Sequence, residues 1–198
     1  MRAMHANLEF RVLRRAIALL GIALFGWAAN WTAIAQVAEG AGSIEYRVKA
    51  AFLYRFAGYV DWPAATFANP NAPLTIAIIS AEGLAAELEK AVLGRTVGDR
   101  VVAVKRIKSG DSLAGVHLLF IGKAEAARLP QMVQVAQANS TLTVTESDGA
   151  LRQGSVINFI IVEQRVRFEI SLDSAEKSGL KLNSRLLAVA QQVLSGAP

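Results

Sequence analysis

The sequence predicts an α/β domain built around a mixed, partly parallel β-sheet that ends in an antiparallel hairpin. Between residues 74 and 145, short apolar runs rich in β-branched residues alternate with segments of helical periodicity. Such alternation favours parallel strands joined by helical crossovers. Two further apolar runs, at 156–162 and 166–170, are separated by only three residues. This spacing indicates an antiparallel pair, which makes the sheet mixed.

The first predicted helix starts at Ser43 and is ended by Pro63, with a loop over 64–73. Apolar residues at spacings of four and three place one face of it against the core: Val48, Phe52, Phe56 and Tyr59. The elements that follow are a strand (74–79), a helix (81–93), a turn (94–100), strands (101–107 and 117–121), a helix (125–138) restarting near Pro130, and a strand (142–145).

A loop bracketed by Asp148-Gly149 and Gln153-Gly154 precedes the hairpin. A short helix over 173–178 is closed by Gly179, because glycine tolerates the left-handed conformation at a helix end. The apolar spacing of Leu186, Leu187, Ala190 and Val193 predicts a last helix over 184–193.

The N-terminal segment has the pattern of a secretory signal. No charged residue occurs from Ala16 to Ala38, and Ala33-Ile34-Ala35 provides a small-x-small cleavage pattern. The basic residues stand just before the apolar stretch: Arg2, Arg11, Arg14 and Arg15. We expect a signal peptide over 1–35, a flexible leader over 36–42 and an α/β domain over 43–194.

An uncleaved transmembrane anchor is the alternative to cleavage, since spanning a bilayer takes about 20 mostly apolar residues. Asn30, Thr32 and Gln36 dilute the second half of the uncharged stretch. Both interpretations place the domain outside the cytoplasm, and the expected location is the periplasm.

Charge and cysteine content exclude several classes of function. The formal net charge is +5, but four arginines and Glu9 give residues 1–35 a charge of +3. The exported part is therefore only about +2, which does not indicate nucleic-acid binding. The chain has no cysteine, which excludes disulfides, thiol nucleophiles and thiolate metal sites.

No catalytic constellation emerges from the motifs. Gly110-Asp111-Ser112-Leu113 matches the signature of a serine hydrolase family, but the serine needs a histidine base oriented by a carboxylate. The only histidine after residue 35 is His117, which lies in an apolar run and is expected to be buried and hydrogen-bonded. One histidine with scattered acids does not predict a metal site, and no cofactor is expected.

Two groups of residues are candidates for binding. Aromatic and basic side chains favour a partner interface. The alternatives are that the aromatic residues pack in the core and that the basic residues lie on a solvated strand edge. These candidates are Tyr54, Tyr59, Trp62, Arg95, Arg100 and Arg106. A small-molecule cleft at the carboxyl ends of the parallel strands would instead bring Ser80, Gly122 and Lys123 near a ligand.

Several blocks of the sequence together resemble the YfiR-like family. They are Lys49–Phe56, Val60–Pro63, His117–Ile121, Leu142–Thr145, Ile157–Phe159, Val166–Ile170 and Gly179–Leu182 with Ser184, Leu186 and Leu187. The resemblance covers about residues 43–194.

The resemblance implies a periplasmic protein with a three-layer α/β sandwich around a mixed sheet. It also implies a regulator without enzymatic activity that represses an inner-membrane diguanylate cyclase, or acts on a sensor kinase, through the periplasmic domain of that partner. Cyclic-di-GMP signalling and biofilm growth would be its outputs, and a homodimer is an open alternative. Well-known members carry redox-sensitive cysteine pairs, and this chain has none. A disulfide switch therefore cannot operate here.

Overall fold

The computed structural model describes residues 44–196. The predicted signal peptide (1–35) and leader (36–42) lie outside the described residues. Within the described range the chain forms an eight-stranded mixed sheet with the order β10-β8-β7-β6-β5-β2-β4-β3, and a two-stranded sheet of β1 and β9. The strands are β1 (Val60–Asp61), β2 (Leu74–Ile79), β3 (Thr96–Val97), β4 (Arg100–Arg106), β5 (Leu118–Ile121), β6 (Leu142–Thr145), β7 (Ile157–Val162), β8 (Arg165–Ser171), β9 (Lys181–Leu182) and β10 (Gln192–Leu194).

One helix precedes the first strand, and the other helices lie between strands along the chain. The described part of the first helix, α1, covers residues 44–57. The others are α2 (Glu82–Val92), α3 (Leu129–Ala138), α4 (Leu172–Lys177) and α5 (Ser184–Leu187). A 3-10 turn over Lys123–Arg128 leads into α3, which has Pro130 in its first turn, where a missing backbone N–H costs nothing.

Parallel pairing runs through the centre of the sheet. β2 lies between β4 and β5 and is parallel to both, and β6 continues the parallel order between β5 and β7. All six residues of β2 are buried, because helices cover both sides of it. β7 and β8 then pair antiparallel, as the sequence predicted, with positive φ at the two turn residues Glu163 and Gln164.

The side chains of the sheet point alternately into two cores. In β2, Ile76 and Ile78 join the core beneath α1, α2, α4 and α5, whereas Ala77 and Ile79 join the core beneath α3. A sheet with helices on both faces is a three-layer sandwich. The predicted α/β fold class is therefore confirmed.

The predicted helix over 184–193 is wrong beyond its first turn. α5 ends at Leu187, and the chain then extends into β10, which pairs parallel with β8 through Val193 and Ile170. The backbone N–H of Gln191 donates to the carbonyl of Phe168 at 2.8 Å. This pairing satisfies backbone groups on the outer edge of β8, which a helix would have left unpaired.

Three short strands, β1, β3 and β9, were also missed. The first helix was expected to continue to Pro63, but residues 60–61 form β1, whose Val60 pairs with Leu182 of β9. The predicted turn over 94–100 contains β3, which forms a tight antiparallel hairpin with the start of β4. Each of the three strands has two residues, which is too short for a periodic signal.

Candidate functional site

A shallow groove of about 340 Å³ separates the C-terminal half of α1 from the β3–β4 hairpin. We call it the α1 groove. It is lined by Tyr54, Arg55, Gly58, Tyr59, Thr96, Val97 and Gly98. Tyr54 of α1 and Tyr59 just after the helix contribute aromatic side chains, and the hairpin contributes the carbonyl of Thr96, so the groove combines apolar area with a hydrogen-bonding group.

Tyr54 is fixed in the α1 groove by contacts with the hairpin. Its hydroxyl donates to the carbonyl of Thr96 at 2.9 Å, and the guanidinium of Arg95 lies 5.4 Å from the centre of its ring. Such a cation–π contact stabilises the side-chain arrangement modestly at an exposed site. The structure thus brings together Tyr54, Tyr59 and Arg95, three of the predicted partner-binding residues.

Trp62 and Arg100 lie in a different place, at the amino ends of the parallel strands. The indole Nε1 of Trp62 donates to the carbonyl of His117 at 3.1 Å. Arg100 lies with its guanidinium 3.8 Å from the ring centre of Phe67, and it donates to the carbonyl of Ala72 at 2.7 Å. Both side chains therefore form contacts within the chain, and these contacts hold the loop between β1 and β2 against the sheet. We call this part of the protein, with Trp62, Phe67, Arg100 and His117, the closed region.

His117 forms the centre of this closed region. It is only 2% exposed, its ring stacks on Phe67 with the ring centres 4.2 Å apart, and its Nδ1 accepts from the backbone N–H of Thr75 at 3.1 Å. This confirms the predicted buried, hydrogen-bonded histidine. The Nε2 atom has no hydrogen-bond partner among the described residues. Burial lowers the pKa of His117, the charge of Arg100 lowers it further, and the backbone of Thr66 partly offsets both.

Arg106 lies at the carboxyl end of β4 and pairs with α2. Its guanidinium is 3.1 Å from Glu82 and 3.0 Å from Glu89. The three predicted arginines, Arg95, Arg100 and Arg106, thus lie in three different places, and Arg106 is paired with two carboxylates.

Ser80, Gly122 and Lys123 come together at the carboxyl ends of β2 and β5. A Cβ added to Gly122 would lie 2.3 Å from the carbonyl oxygen of Ser80, so only glycine permits this approach. The hydroxyl of Ser80 donates to Glu125 at 2.8 Å, and the backbone N–H of Lys123 donates to Glu146 at 3.2 Å. These bonds link the predicted cleft residues to two carboxylates.

A buried lysine at the same edge was missed by the sequence analysis. The ammonium of Lys49, whose side chain is 4% exposed, binds Glu45 one turn earlier in α1 and lies 2.6 Å from Glu146. Burial acts to lower the pKa of Lys49, but the hydrogen bonds and charges of Glu146 and Glu45 outweigh it and raise the pKa. A lysine in the apolar face of α1, four residues after a glutamate, was the signal available in the sequence.

The hydrolase-like motif forms a turn. The Oγ of Ser112 accepts from the backbone N–H of Ala114 at 3.2 Å, while His117 is engaged by Thr75. Within residues 44–196, no group of three or more His, Cys, Asp or Glu side chains is arranged to hold a metal ion. The described part of the chain also has no helix long and apolar enough to cross a membrane.

Comparison with known families identifies the relationship. The family model described as YfiR/HmsC-like matches residues 46–191. The chain belongs to this family. Members of the YfiR/HmsC-like family are periplasmic regulators that act on partner proteins in signalling. The predicted resemblance is therefore confirmed.

More distant comparisons give weaker matches. No curated protein matches the chain. A conserved domain protein from Vibrio cholerae O1 biovar El Tor strain N16961 has 11% identity and a TM-score of 0.45, over 61% of this chain and 54% of its own. The ABC domain in complex with L-Trp from Streptococcus pneumonia has 13% identity and a TM-score of 0.47, over 61% and 55%. This YfiR/HmsC-like chain spans about half the length of each.

Proposed function

We propose that this protein represses an inner-membrane signalling protein, in the first place a diguanylate cyclase, by binding the periplasmic sensory domain of that protein. The observation that carries the proposal is the YfiR/HmsC-like family match over residues 46–191. The signal-peptide pattern of residues 1–35 supports a periplasmic location. In physical terms, binding would favour the inactive one of two states of the membrane protein.

The α1 groove is the surface that we assign to the partner. Tyr54 and Tyr59 offer aromatic area, and Arg95 adds a positive charge. Two apolar side chains are also strongly exposed, Val101 of the hairpin at 62% and Leu93 shortly before it at 84%. Aromatic residues and arginine are enriched in interface cores, and arginine pairs well with carboxylates. A complementary partner surface would present apolar residues flanked by an aspartate or glutamate.

The other predicted partner residues are better explained by contacts within the chain. Trp62 and Arg100 hold the loop over His117, and Arg106 pairs with two glutamates of α2. We therefore expect their substitution to affect stability, and the proposal assigns partner recognition to Tyr54, Tyr59 and Arg95.

Site-specific photocrosslinking in intact cells tests this assignment. A photoreactive residue at Val97, in the α1 groove, is expected to capture an inner-membrane protein with a periplasmic domain. The same residue at exposed Gln134 on α3 serves as the matched control and is expected not to capture it. Deleting the gene should raise cyclic-di-GMP, and a Tyr59→Ala, Arg95→Glu variant should fail to restore the low level.

The outcomes separate the possible partners. Capture of a sensor kinase, with cyclic-di-GMP unchanged by the deletion, would replace the cyclase by the kinase. No membrane protein at Val97, together with unchanged cyclic-di-GMP, would contradict the regulatory proposal. Homodimer formation stays a prediction, which light scattering of the purified protein would check.

A small-molecule sensor is the second candidate function. It is supported by the juxtaposition of Ser80, Gly122 and Lys123 with Glu125 and Glu146 at the carboxyl ends of the strands, where open α/β sheets commonly bind ligands. A metabolite that raises the melting temperature of the wild type but not of a Ser80→Ala variant would support a ligand at this cluster. A rise of equal size in both proteins would count against it.

A further inference from the structure

A pocket of about 250 Å³ lies on the α3 face of the sheet, opposite the face covered by α1. It opens between α3 and the turn that follows β4. We call it the α3 pocket. Its lining residues are Ile79, Lys108, Ser109, Gly110, Asp111, Leu113, Leu119, Arg128, Gln131, Met132 and Val135. They do not include Ser80, Gly122 or Lys123, so the α3 pocket is separate from the cleft discussed above.

The floor of the α3 pocket is aliphatic. Ile79, Leu113, Leu119 and Met132 are each at most 9% exposed, and Val135 forms a wall at 50% exposure. Among the residues that the structure describes, no aromatic side chain lines the pocket. The volume lies just below the roughly 300–1,000 Å³ typical of sites for drug-sized ligands. A single short aliphatic chain therefore matches both the lining and the size, and a methionine in the floor can adjust to its shape.

The mouth of the α3 pocket carries an excess of positive charge. Lys108, Asp111 and Arg128 are its ionisable lining residues, and all three are exposed. A carboxylate oxygen of Asp111 already accepts from the backbone N–H of Lys108 at 2.8 Å, which closes the turn. The ammonium of Lys108 forms no ion pair within residues 44–196, and Arg128 has only a 3.7 Å contact with Glu125.

The shape of the mouth depends on the turn over residues 108–111. Gly110 has a φ of +97°, a conformation that other residues adopt only with strain, and a Cβ added there would meet nothing within 4 Å. The turn therefore leaves open space at the entrance while it holds Lys108 and Asp111 in place. An apolar floor with a few placed polar groups at one end is the usual design of a small-molecule site.

We propose that the α3 pocket binds a medium-chain monocarboxylate, with its alkyl chain on the aliphatic floor and its carboxylate between Lys108 and Arg128. A chain of this kind has one flexible apolar part and one anionic end, which are the two features that the pocket presents. Binding at this site is independent of the α1 groove and of the identity of the membrane partner.

Calorimetric titration of the purified exported protein with hexanoate, octanoate and decanoate tests the proposal. Affinity should rise by about fourfold for each methylene that enters the pocket, until its length is filled. Octan-1-ol, which has the same chain without the charge, should bind more weakly than octanoate. A Lys108→Gln, Arg128→Gln variant should lose about tenfold for octanoate, the sum of two exposed ion pairs, and little for octanol.

Two further variants make the test decisive. Lys105→Gln removes an exposed lysine of β4 outside the pocket and should leave the affinity for octanoate unchanged. Val135→Trp, at a half-exposed position that tolerates a larger side chain, should block the pocket and abolish binding while the melting temperature stays close to that of the wild type. No saturable binding of octanoate at millimolar concentration would overturn the proposal. Equal affinity for octanol and octanoate would overturn its anionic part, and unchanged binding by the Val135→Trp variant would overturn the location.

Discussion

The buried ammonium of Lys49 links α1 to the carboxyl edge of the sheet through its ion pair with Glu146, and we expect this contact to stabilise the fold. In a Lys49→Met variant the apolar stem is kept and the charge is lost, which leaves Glu45 and Glu146 without their cation. Breaking a fully buried pair costs about 3–5 kcal/mol. In this protein the two carboxylates are only partly buried, since Glu45 is 39% exposed and Glu146 is 17% exposed. Glu146 also keeps the hydrogen bond that it accepts from the backbone N–H of Lys123. We therefore expect a loss of about 2–3 kcal/mol.

Thermal unfolding followed by circular dichroism measures this loss. For a domain of this size about 2–3 kcal/mol corresponds to a melting temperature lowered by roughly 5–10 °C. Lys90→Met is the matched control: Lys90 also lies 2.7 Å from a glutamate, Glu87, but its side chain is 70% exposed. An exposed pair of this kind contributes little, so the control should melt almost like the wild type.

A double variant distinguishes the lost pair from a general packing effect. Lys49→Met combined with Glu146→Gln removes the more buried of the two uncompensated charges, and should recover part of the stability lost by Lys49→Met alone. Equal melting temperatures for the Lys49→Met and Lys90→Met variants would refute the reasoning. Strictly additive losses in the double variant would refute the electrostatic coupling between Lys49 and Glu146.

Three other substitutions test the closed region and the carboxyl edge. His117 has a lowered pKa in the folded state, so the unfolded chain binds the proton first. Stability should fall as pH drops below about 6.5, by up to about 1.4 kcal/mol per pH unit until the folded pKa is reached, and a His117→Gln variant should lack this component in urea titrations. Gly122→Ala forces a Cβ to 2.3 Å from the carbonyl oxygen of Ser80 and should cost about 1–3 kcal/mol, whereas Gly58→Ala, with its nearest atom at 3.5 Å, should be nearly neutral in the same titrations. Phe67→Ala removes the ring stacked on His117, and proteolysis should then cut the loop between β1 and β2 faster than in the wild type.

Elements with a strong local signal could be predicted from the sequence. β2 is a continuous apolar run, which is typical of a buried strand. α2 carries Leu84, Leu88 and Val92 at intervals of four, which is typical of a helix packed on one face. The residues around 184–193 also have helical spacing, yet β10 forms there. The strand forms because β8, an earlier segment of the chain, offers an unpaired edge. A hydrogen-bond partner elsewhere in the chain cannot be recognised from the local spacing of apolar residues.

The grouping of the site residues depends on topology in the same way. Trp62, Arg100 and His117 are far apart in the sequence, but β4 and β5 both begin at the same edge of the sheet because both are parallel to β2. At this edge Trp62 contacts His117, and Phe67 lies between His117 and Arg100, so the three residues belong to the closed region. A residue list based on aromatic and basic type could select Trp62 and Arg100, but it could not separate them from Tyr54 and Arg95, which lie in the α1 groove.

The two proposed binding surfaces lie on opposite faces of one sheet, which makes them separable by mutation. In β2, Ile78 belongs to the core beneath α1 while the next residue, Ile79, lines the α3 pocket. Sites that share no residue and no hydrogen bond usually contribute independently. Tyr59→Ala with Arg95→Glu should therefore abolish partner capture and leave octanoate binding intact, and Lys108→Gln with Arg128→Gln should do the reverse. If octanoate releases the partner from the wild type, the ligand must favour a second arrangement of the sheet, because a ligand shifts an equilibrium only by its difference in affinity for two states.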